Sequence, residues 1–413
     1  MKKCLLPILL LCPFIIVTAQ TTSVLFIGNS YTASNNLPQL FSDLALSMGD
    51  TVIVDSNTPG GYTFQGHTTN ATTLAKINTQ PWDFVFLQEQ SQLPSFSPPQ
   101  VAVDVYPYAR MLDSLIYVND SCTETVFYMT WGRKYGDAGN CANWPPVCTF
   151  TGMQQQLRDA YVQMANDNNA LVAPVGQAWK ESWFTDTTIN LWVGDNSHPA
   201  VAGSYLTACV MYATIFRKAS SIATFYAGLP PATAQYLQQI ADQVVFDSLP
   251  VWNVGDFDVQ SDFIYNANNL QVQFTDQSLF ADWWQWDFGD GSVSALQHPL
   301  HTYSSDGVYI VKLLSGNSCE ADSAFEQIVV TTTGQAEVEK SSCLQYLGEN
   351  TFLINCGDVI NATVYFPDGR RVMEVKGVMS EGRIDLNTLH SGIYLIEITF
   401  SNRSRVNLKW HKD

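Results

Sequence analysis

Hydrophobic residues in the first half of the chain form short apolar runs, which alternate with longer stretches whose apolar positions recur at helical spacing. The runs lie at 24–27, 84–87, 125–130 and 171–174, and the helix-like stretches at 37–48, 101–118, 153–166 and 199–219. Strands that alternate with helices are typical of a parallel α/β sheet. Because the runs are apolar at almost every position, the pattern predicts helices on both faces of that sheet.

The pattern changes after about residue 250. Short segments then alternate apolar and polar residues with a period of two, separated by glycine-rich turns, which predicts small β-sandwiches. The Thr-Thr-Thr-Gly-Gln stretch from Thr331 has the composition of a linker. The sequence therefore predicts an α/β domain over 22–250, a β-module over 255–331 and a second β-module over 340–413.

Residues 1–19 have the pattern of a secretory signal peptide. Lys2 and Lys3 precede an apolar run to Val17, and the small residue Ala19 suits cleavage before Gln20. A retained membrane anchor is the alternative interpretation. No later stretch has the ~20 uninterrupted apolar residues of a membrane span. We therefore expect an exported protein without a transmembrane segment after cleavage.

Composition and charge limit the classes of partner that the protein can bind. The 413 residues carry a formal net charge of -18, and 46% of them are hydrophobic but only 14% charged, so we expect a packed globular protein. Nucleic acid is excluded as a partner because both surfaces would be negatively charged.

The cysteines after the signal peptide are odd in number, so at least one is unpaired. Cys141 and Cys148 flank a Pro-Pro turn and could close a short loop in an oxidising compartment. No Cys-x-x-Cys pair or histidine cluster is present in the sequence. We therefore expect no metal and no other cofactor.

Polar residues at the strand ends of the α/β domain are the first candidates for chemistry, because sites in such sheets form at the carboxyl edge. The first strand leads directly into Gly28-Asn29-Ser30. Ser30 therefore lies before a helix whose amino terminus favours negative charge, and it is the candidate nucleophile. The alternative is an ordinary turn with a helix cap.

A serine hydroxyl needs a base, and the base needs a carboxylate that fixes its tautomer. Asp195 and His198 lie three residues apart on a loop before a long apolar helix, and only His67 and His198 precede residue 298. Asp195-x-x-His198 is therefore the candidate base pair. The alternative makes the aspartate a helix cap and the histidine a surface residue.

The Gly28-Asn29-Ser30 turn, a glycine turn after a second strand at 51–54 and the Asp195-x-x-His198-Pro199 segment together resemble the SGNH/GDSL hydrolase superfamily, over about residues 22–220. The resemblance implies a three-layer α/β/α sandwich that hydrolyses esters, often acetyl or acyl groups on carbohydrates or lipids. It assigns Ser30 as nucleophile, His198 as base and Asp195 as the partner of the base.

The resemblance also implies an oxyanion hole, to which Ser30 contributes. The second family block is a glycine whose N–H faces the oxyanion, and both Gly60 and Gly61 fit it. The third block normally carries Gly-x-Asn-Asp, but here the strand leads into Gln88-Glu89-Gln90. Gln88 or Gln90 would then replace the asparagine as the side-chain donor.

Residues that could line the substrate site follow from the same blocks. A Gly-Gly-Tyr-x-x-x-x-His stretch makes Tyr62 and His67 candidates, with a surface loop as the alternative for the histidine. Aromatic residues near the blocks could stack on a sugar ring or serve in core and rim packing. They are Tyr31, Tyr62, Trp131, Trp179 and Trp183.

The middle module carries Trp286-Asp287-Phe288-Gly289-Asp290-Gly291, followed by two histidines and Gly307-Val308-Tyr309. This set closely resembles the PKD domain, an immunoglobulin-like β-sandwich of extracellular enzymes, and implies a spacer. A metal site at the aspartates and histidines is the alternative, but the turn geometry explains the aspartates and glycines.

The last segment, with Tyr365-Phe366-Pro367-Asp368-Gly369, Gly392-Ile393-Tyr394 and a basic end, is similar to the type A carboxy-terminal sorting domain of the type IX secretion system. The alternative is another β-sandwich adhesion module. The resemblance implies that the type IX secretion machinery is a partner and that the protein ends outside the cell or on its surface.

Two classes of function follow. The first is a secreted serine esterase that acts on an ester substrate, such as an acylated glycan, through Ser30, His198 and Asp195. The second is a non-catalytic glycan-binding or cell-surface protein on the same scaffold, which the missing Gly-x-Asn-Asp turn motivates.

Overall fold

The computed structural model describes residues 21–332 and, beyond them, seven strands with a few adjoining residues between 344 and 412. The predicted signal peptide and the segment 333–343 lie outside the described residues. The chain divides into two compact units. The first runs to Phe263 and includes 277–286 and 313–324, and the second comprises 264–276, 287–312 and 325–413.

A five-stranded sheet forms the centre of the first unit. Its strands are β1 (Thr21–Ile27), β2 (Thr51–Asn57), β3 (Phe84–Leu87), β4 (Glu124–Tyr128) and β5 (Leu171–Ala173). All neighbours pair in parallel, in the order β2-β1-β3-β4-β5. The strand order reverses between β1 and β3, and in parallel sheets a crevice opens at the carboxyl edge of such a reversal.

Ten α-helices connect and follow these strands. They are α1 (Ser30–Ala33), α2 (Leu37–Ser47), α3 (Phe64–Thr69), α4 (Ala71–Ile77), α5 (Pro98–Asp104), α6 (Tyr106–Asn119), α7 (Phe150–Asn168), α8 (Val175–Thr185), α9 (Val201–Phe216) and α10 (Pro231–Phe246). The predicted helix over 101–118 is divided between α5 and α6. Pro107 explains the break, because proline cannot donate a backbone hydrogen bond and suits the first turn of a new helix.

Two hydrophobic cores lie on opposite faces of the sheet. Along β1, Val24 and Phe26 belong to one core, whereas Leu25 and Ile27 belong to the other. The first core takes buried residues from α2, α8, α9 and α10, and the second from α3 to α7. This alternation confirms the predicted α/β architecture with helices on both faces of a parallel sheet.

Antiparallel sheets follow the α/β part, as predicted. Between 263 and 330 the strands are β6 (Phe263–Asn268), β7 (Gln271–Asp276), β8 (Trp283–Asp287), β9 (Val293–Ser294), β10 (Leu300–Thr302), β11 (Gly307–Gly316) and β12 (Ala321–Val330). They form two sheets, ordered β10-β7-β6 and β12-β11-β8-β9. Asp290 accepts a hydrogen bond from Ser292 N and pairs with His301 Nε2 at 2.8 Å. Its carboxylate therefore stabilises the turn and joins it to β10.

The described C-terminal strands form two further antiparallel sheets. The strands are β13 (Leu344–Gly348), β14 (Thr351–Ile354), β15 (Val359–Tyr365), β16 (Arg371–Met379), β17 (Gly382–Asp385), β18 (Gly392–Phe400) and β19 (Arg405–Lys412). The sheet orders are β13-β14-β17 and β16-β15-β18-β19.

Two disulfides lie within the first unit. Cys141 and Cys148 close the short loop that the sequence suggested, and Cys122 is joined to Cys319 across a separation of 197 residues. Cys209 in α9 is buried and unpaired.

Candidate active site

Ser30 lies where β1 ends at the carboxyl edge of the sheet. Asn29 is buried in the extended backbone conformation and caps α1, since its Oδ1 accepts the Tyr31 N–H at 3.1 Å. The Asn29 Nδ2 donates to the Tyr62 carbonyl at 2.9 Å. Ser30 is therefore the first helical residue, and its side chain stays partly exposed.

His198 lies beside Ser30, although 168 residues separate the two in sequence. Its Nε2 is 2.9 Å from Ser30 Oγ, and its Nδ1 is 2.6 Å from Asp195 Oδ2. Asp195 Oδ1 also accepts the backbone N–H groups of Ser197 and His198, each at 2.9 Å. The structure thus brings together the three residues predicted as the triad.

The protonation of this triad follows from Asp195. Burial works to raise its pKa, but the hydrogen bonds from Ser197 N–H and His198 outweigh burial and hold the pKa below its usual value. An ionised carboxylate can only accept, so His198 Nδ1 carries the proton. In the neutral imidazole Nε2 is then the acceptor for the Ser30 hydroxyl, which is the arrangement that nucleophilic attack requires.

Gln88 is wrong as an oxyanion donor. Its side chain is fully buried, with Oε1 accepting Asn29 N–H and Thr32 Oγ–H at 2.9 Å each, while Nε2 donates to the Glu89 carbonyl. A Cβ on Gly28 would meet Thr32 Oγ1 at 2.6 Å and Gln88 Oε1 at 2.7 Å. Glycine at this position therefore lets the glutamine reach the nucleophile segment, and Gln88 holds that segment in place.

His67 is likewise wrong as a residue that lines the substrate site. It is 0% exposed, with Nδ1 at 2.7 Å from Thr73 Oγ1 and Nε2 at 2.9 Å from the Gly28 carbonyl. Burial lowers the pKa of its imidazole, so the neutral form is favoured. His67 thus holds the Gly28 carbonyl, two residues before Ser30, from the buried side.

Three of the aromatic residues predicted near the site are core residues. Trp131 and Trp179 are 0% exposed and stack with ring centroids 3.7 Å apart. Tyr31 stacks on Trp131 at 4.7 Å, and its hydroxyl is 2.6 Å from Ser197 Oγ. Their burial excludes stacking on a sugar. They support the loop that carries His198, since Trp131 Nε1 donates to the Ser197 carbonyl at 2.9 Å.

Tyr62 and Trp183 are half-buried, in contrast to those three residues. The Tyr62 hydroxyl accepts a hydrogen bond from Asn70 Nδ2 at 3.1 Å. The Trp183 ring lies 4.8 Å from the Lys134 ammonium, a cation–π contact. Of the aromatic residues predicted from the sequence, these two keep surface that a ligand can reach.

Backbone donors for an oxyanion are present at two places. The Ser30 N–H belongs to the first helical residue and has no partner inside the helix. Gly60 and Gly61 are exposed and occupy a turn closed by Tyr62 N–H to the Pro59 carbonyl at 3.2 Å. Gly61 has φ +68°, which glycine adopts most readily. The Asn29 bond to the Tyr62 carbonyl joins this turn to the nucleophile segment.

Gln90 is the remaining side-chain candidate for the oxyanion. Its Oε1 accepts the N–H groups of Gln92 and Leu93 at 2.9 and 3.3 Å, and its Nε2 contacts Gln92 Oε1 at 3.3 Å. These contacts orient the amide and leave one N–H of Nε2 for another acceptor.

Glu89 is a residue that sequence reasoning missed. It follows β3 directly, is 0% exposed and accepts the Phe64 N–H with both carboxyl oxygens at 3.0 Å. Its backbone N–H donates to the Tyr161 hydroxyl at 3.2 Å. Burial raises the pKa of Glu89 to about 8, against opposing hydrogen bonds from Gln90 and Phe64 N–H. A charged residue directly after an apolar strand was the signal in the sequence.

The raised pKa of Glu89 predicts a pH dependence of stability. Since the folded pKa of about 8 exceeds the ordinary value of 4.5, the folded state retains the proton to higher pH. The resulting stabilisation is complete below pH 4.5 and is lost as the pH rises to about 8. We expect the Tm of the wild type to fall across this range more steeply than that of Glu89→Gln, measured by calorimetry. Parallel Tm curves for the two proteins would contradict the prediction.

Two features are absent from the described part of the chain. Within residues 21–332 and the described C-terminal strands, no group of three or more His, Cys, Asp or Glu side chains is arranged to hold a metal ion. Among the same residues, no helix has the length and apolar character needed to cross a membrane.

The chain is similar to solved structures whose names include an SGNH hydrolase and an esterase. A DUF4886 family protein from Bacteroides uniformis is 18% identical, with 55% of this chain and 95% of that chain covered at a TM-score of 0.48. A proposed SGNH hydrolase from Slackia heliotrinireducens is 27% identical, with 48% and 100% covered at 0.39. The esterase EstA from Pseudoalteromonas sp. is 13% identical, with 48% and 97% covered at 0.33.

Residues 264–333 match the family model of the PKD domain, which confirms the prediction for the middle module. A search of curated proteins finds no match.

Proposed function

We propose that this protein is a serine esterase. The observation that carries the proposal is the continuous hydrogen-bonded series from Ser30 Oγ to His198 Nε2 at 2.9 Å and from His198 Nδ1 to Asp195 Oδ2 at 2.6 Å. This is the arrangement of nucleophile, base and orienting carboxylate that acyl transfer needs. The partial exposure of Ser30 supports access for a substrate.

The proposed reaction has two halves. Ser30 Oγ attacks the ester carbonyl carbon while its proton passes to His198 Nε2, and the tetrahedral intermediate then expels the alcohol, which takes that proton. Water next attacks the acyl-enzyme, again with His198 as base, and the acid leaves as the Ser30 hydroxyl is restored. In both halves Asp195 stabilises the imidazolium.

The oxyanion of each tetrahedral intermediate needs positioned N–H donors. We assign the Ser30 N–H, a glycine N–H of the Gly60-Gly61 turn and the Gln90 amide to this role. Donors of this kind act on charge that develops only in the transition state.

We also propose that the ester carries a short acyl group, such as acetyl, on a carbohydrate. The exposed ring of Tyr135, at 70% exposure, supports a surface that suits sugar rings near the triad. Tyr135 follows Lys134, whose backbone N–H donates to the Asn196 carbonyl at 2.9 Å, between Asp195 and His198.

Export to the cell exterior or surface completes the proposal. The signal peptide pattern, the sorting-domain resemblance over 340–413 and the two disulfides support it, because disulfides persist in oxidising compartments. The type IX secretion machinery would then be a partner.

The test of the esterase proposal is covalent labelling. Ser30 Oγ is expected to attack the phosphorus of a fluorophosphonate and to expel fluoride, while the hydroxyl proton passes to His198. Mass spectrometry of the digested protein should place the phosphonyl adduct on the peptide that contains Ser30. Ser34→Ala is a matched control, because Ser34 Oγ donates to the Ser30 carbonyl at 2.7 Å in the same short helix segment and should remain compatible with labelling. An unlabelled wild type that still binds glycans would instead favour the non-catalytic alternative.

A further inference from the structure

Arg133 lies on the loop after β4, at the same carboxyl edge as the triad. Trp131, two residues before it, donates to the Ser197 carbonyl at 2.9 Å, and Lys134 N–H donates to the Asn196 carbonyl at 2.9 Å. Both contacts are to the turn that carries His198. Arg133 therefore lies between two residues that both contact the turn of His198.

The hydrogen-bonding capacity of Arg133 is mostly unused. Its side chain is 31% exposed, and its Nε is buried without a hydrogen-bond partner among the described residues. Nη1 contacts Asp137 Oδ1 at 3.3 Å, which is longer than the 2.7–2.9 Å usual for a charge-assisted bond. A guanidinium has five N–H donors. With Nε buried and one contact from Nη1 to Asp137, the other N–H groups of Nη1 and Nη2 are left for another acceptor.

Asp137, which contacts Arg133, is itself fixed by other hydrogen bonds. Its carboxylate is 1% exposed, and Oδ2 accepts Gln92 Nε2 and Asn140 Nδ2 at 2.7 Å each. Burial alone would raise the pKa of Asp137, but these hydrogen bonds outweigh it and lower the pKa. Asp137 is thus an ionised anchor that is already satisfied without the arginine.

The loop that carries Asp137 is itself closed covalently. Asp137 N–H donates to the Val147 carbonyl at 2.7 Å, and the Cys141–Cys148 disulfide joins the two sides of the same loop. Asp137, the charged partner of Arg133, is therefore fixed before any ligand arrives, and such support is a condition for selective binding.

We propose that Arg133 binds a carboxylate carried by the ester substrate. The planar fork of a guanidinium matches the two oxygens of a carboxylate, whereas a neutral ester offers only one acceptor at a time. The net charge of the chain is negative, so the protein as a whole does not attract an anionic substrate from a distance. The attraction to Arg133 therefore acts at short range, where salt screens it least. The proposal rests on the esterase function and specifies its substrate class.

The experiment compares kcat/KM on matched ester pairs. The pair 4-acetoxybenzoate and 4-acetoxybenzamide places the carboxylate on the alcohol part, and the pair monophenyl succinate and phenyl butyrate places it on the acyl part. We expect the wild type to prefer the anionic member of one pair by about tenfold or more, since hydrogen bonds to charged groups have this magnitude. The favoured pair identifies the part of the substrate that carries the charge.

Three variants separate recognition from structure. Arg133→Gln should abolish the preference while kcat/KM on the neutral esters stays within about threefold, and Arg133→Lys should retain part of it because the charge remains without the fork. Lys134→Met removes an equal charge from the adjacent residue, whose ammonium contacts Asn190 Oδ1 at 3.0 Å, and should keep the preference.

Two outcomes would overturn the proposal. The first is a wild type without preference in either pair. The second is an equal loss on neutral and anionic esters in both Arg133 variants, which indicates a structural role. Failure of the esterase function itself is distinguishable, because hydrolysis of all four esters and labelling of Ser30 would then be absent together.

Discussion

Replacing Ser30 with alanine is expected to lower kcat/KM for p-nitrophenyl acetate by about 10⁴-fold or more, the loss typical of a missing triad nucleophile. The substitution removes the atom that forms the acyl-enzyme, and His198 Nε2 loses its partner at 2.9 Å. Residual hydrolysis should then come from water near the oxyanion donors, without a burst of nitrophenol.

The fold should be unaffected by this change. Ser30 Oγ is partly exposed, and the helix cap belongs to Asn29. We therefore expect Ser30→Ala to keep the Tm of the wild type within about 2 °C, as surface substitutions usually do. Equal rates of hydrolysis in the folded variant and the wild type would exclude Ser30 as the nucleophile.

Replacing Asp195 with asparagine is expected to lower kcat by about 10³- to 10⁴-fold through the tautomer of His198. The asparagine Oδ1 can still accept the N–H groups of Ser197 and His198, so the loop keeps its geometry. Its Nδ2, however, would donate to His198 Nδ1. The imidazole proton would then lie on Nε2, which could no longer accept the proton of Ser30.

A matched control separates this effect from the loss of a surface charge. Asp186 also accepts hydrogen bonds from a residue two positions later, the N–H and hydroxyl of Thr188 at 2.9 and 2.6 Å. Asp186→Asn should leave kcat unchanged. If both variants retain wild-type kcat, the role of Asp195 as the orienting carboxylate is refuted.

Local sequence patterns sufficed for the sheet and for the three residues at its edge. Each apolar run is nearly contiguous, so the strand at 84–87 and its neighbours followed from the residues alone. Ser30 follows a strand directly, and Asp195 and His198 share one loop, so their candidacy needed only short-range spacing.

The roles of the supporting residues depend on packing across long separations. Gln88 bonds to Asn29 across 59 residues, and His67 bonds to Gly28 across 39. From sequence alone, both were polar residues near a motif and were predicted to face the substrate. The burial of Gln88 depends on how β1 and β3 are placed side by side, and that of His67 on how α3 packs against the end of β1. No local pattern records either arrangement. The same holds for Arg133 and Asp137, whose contacts include Gln92, 45 residues away from Asp137.

The disulfide between Cys122 and Cys319 determines whether the two fragments stay joined when a protease cuts the chain. It makes a covalent ring of the 197-residue span, so a protease that cuts one peptide bond between these cysteines would open the ring without releasing a fragment. A nicked molecule should run as a single band on a non-reducing gel and as two bands after reduction. One cut in this span would therefore leave the triad joined to the rest of the chain.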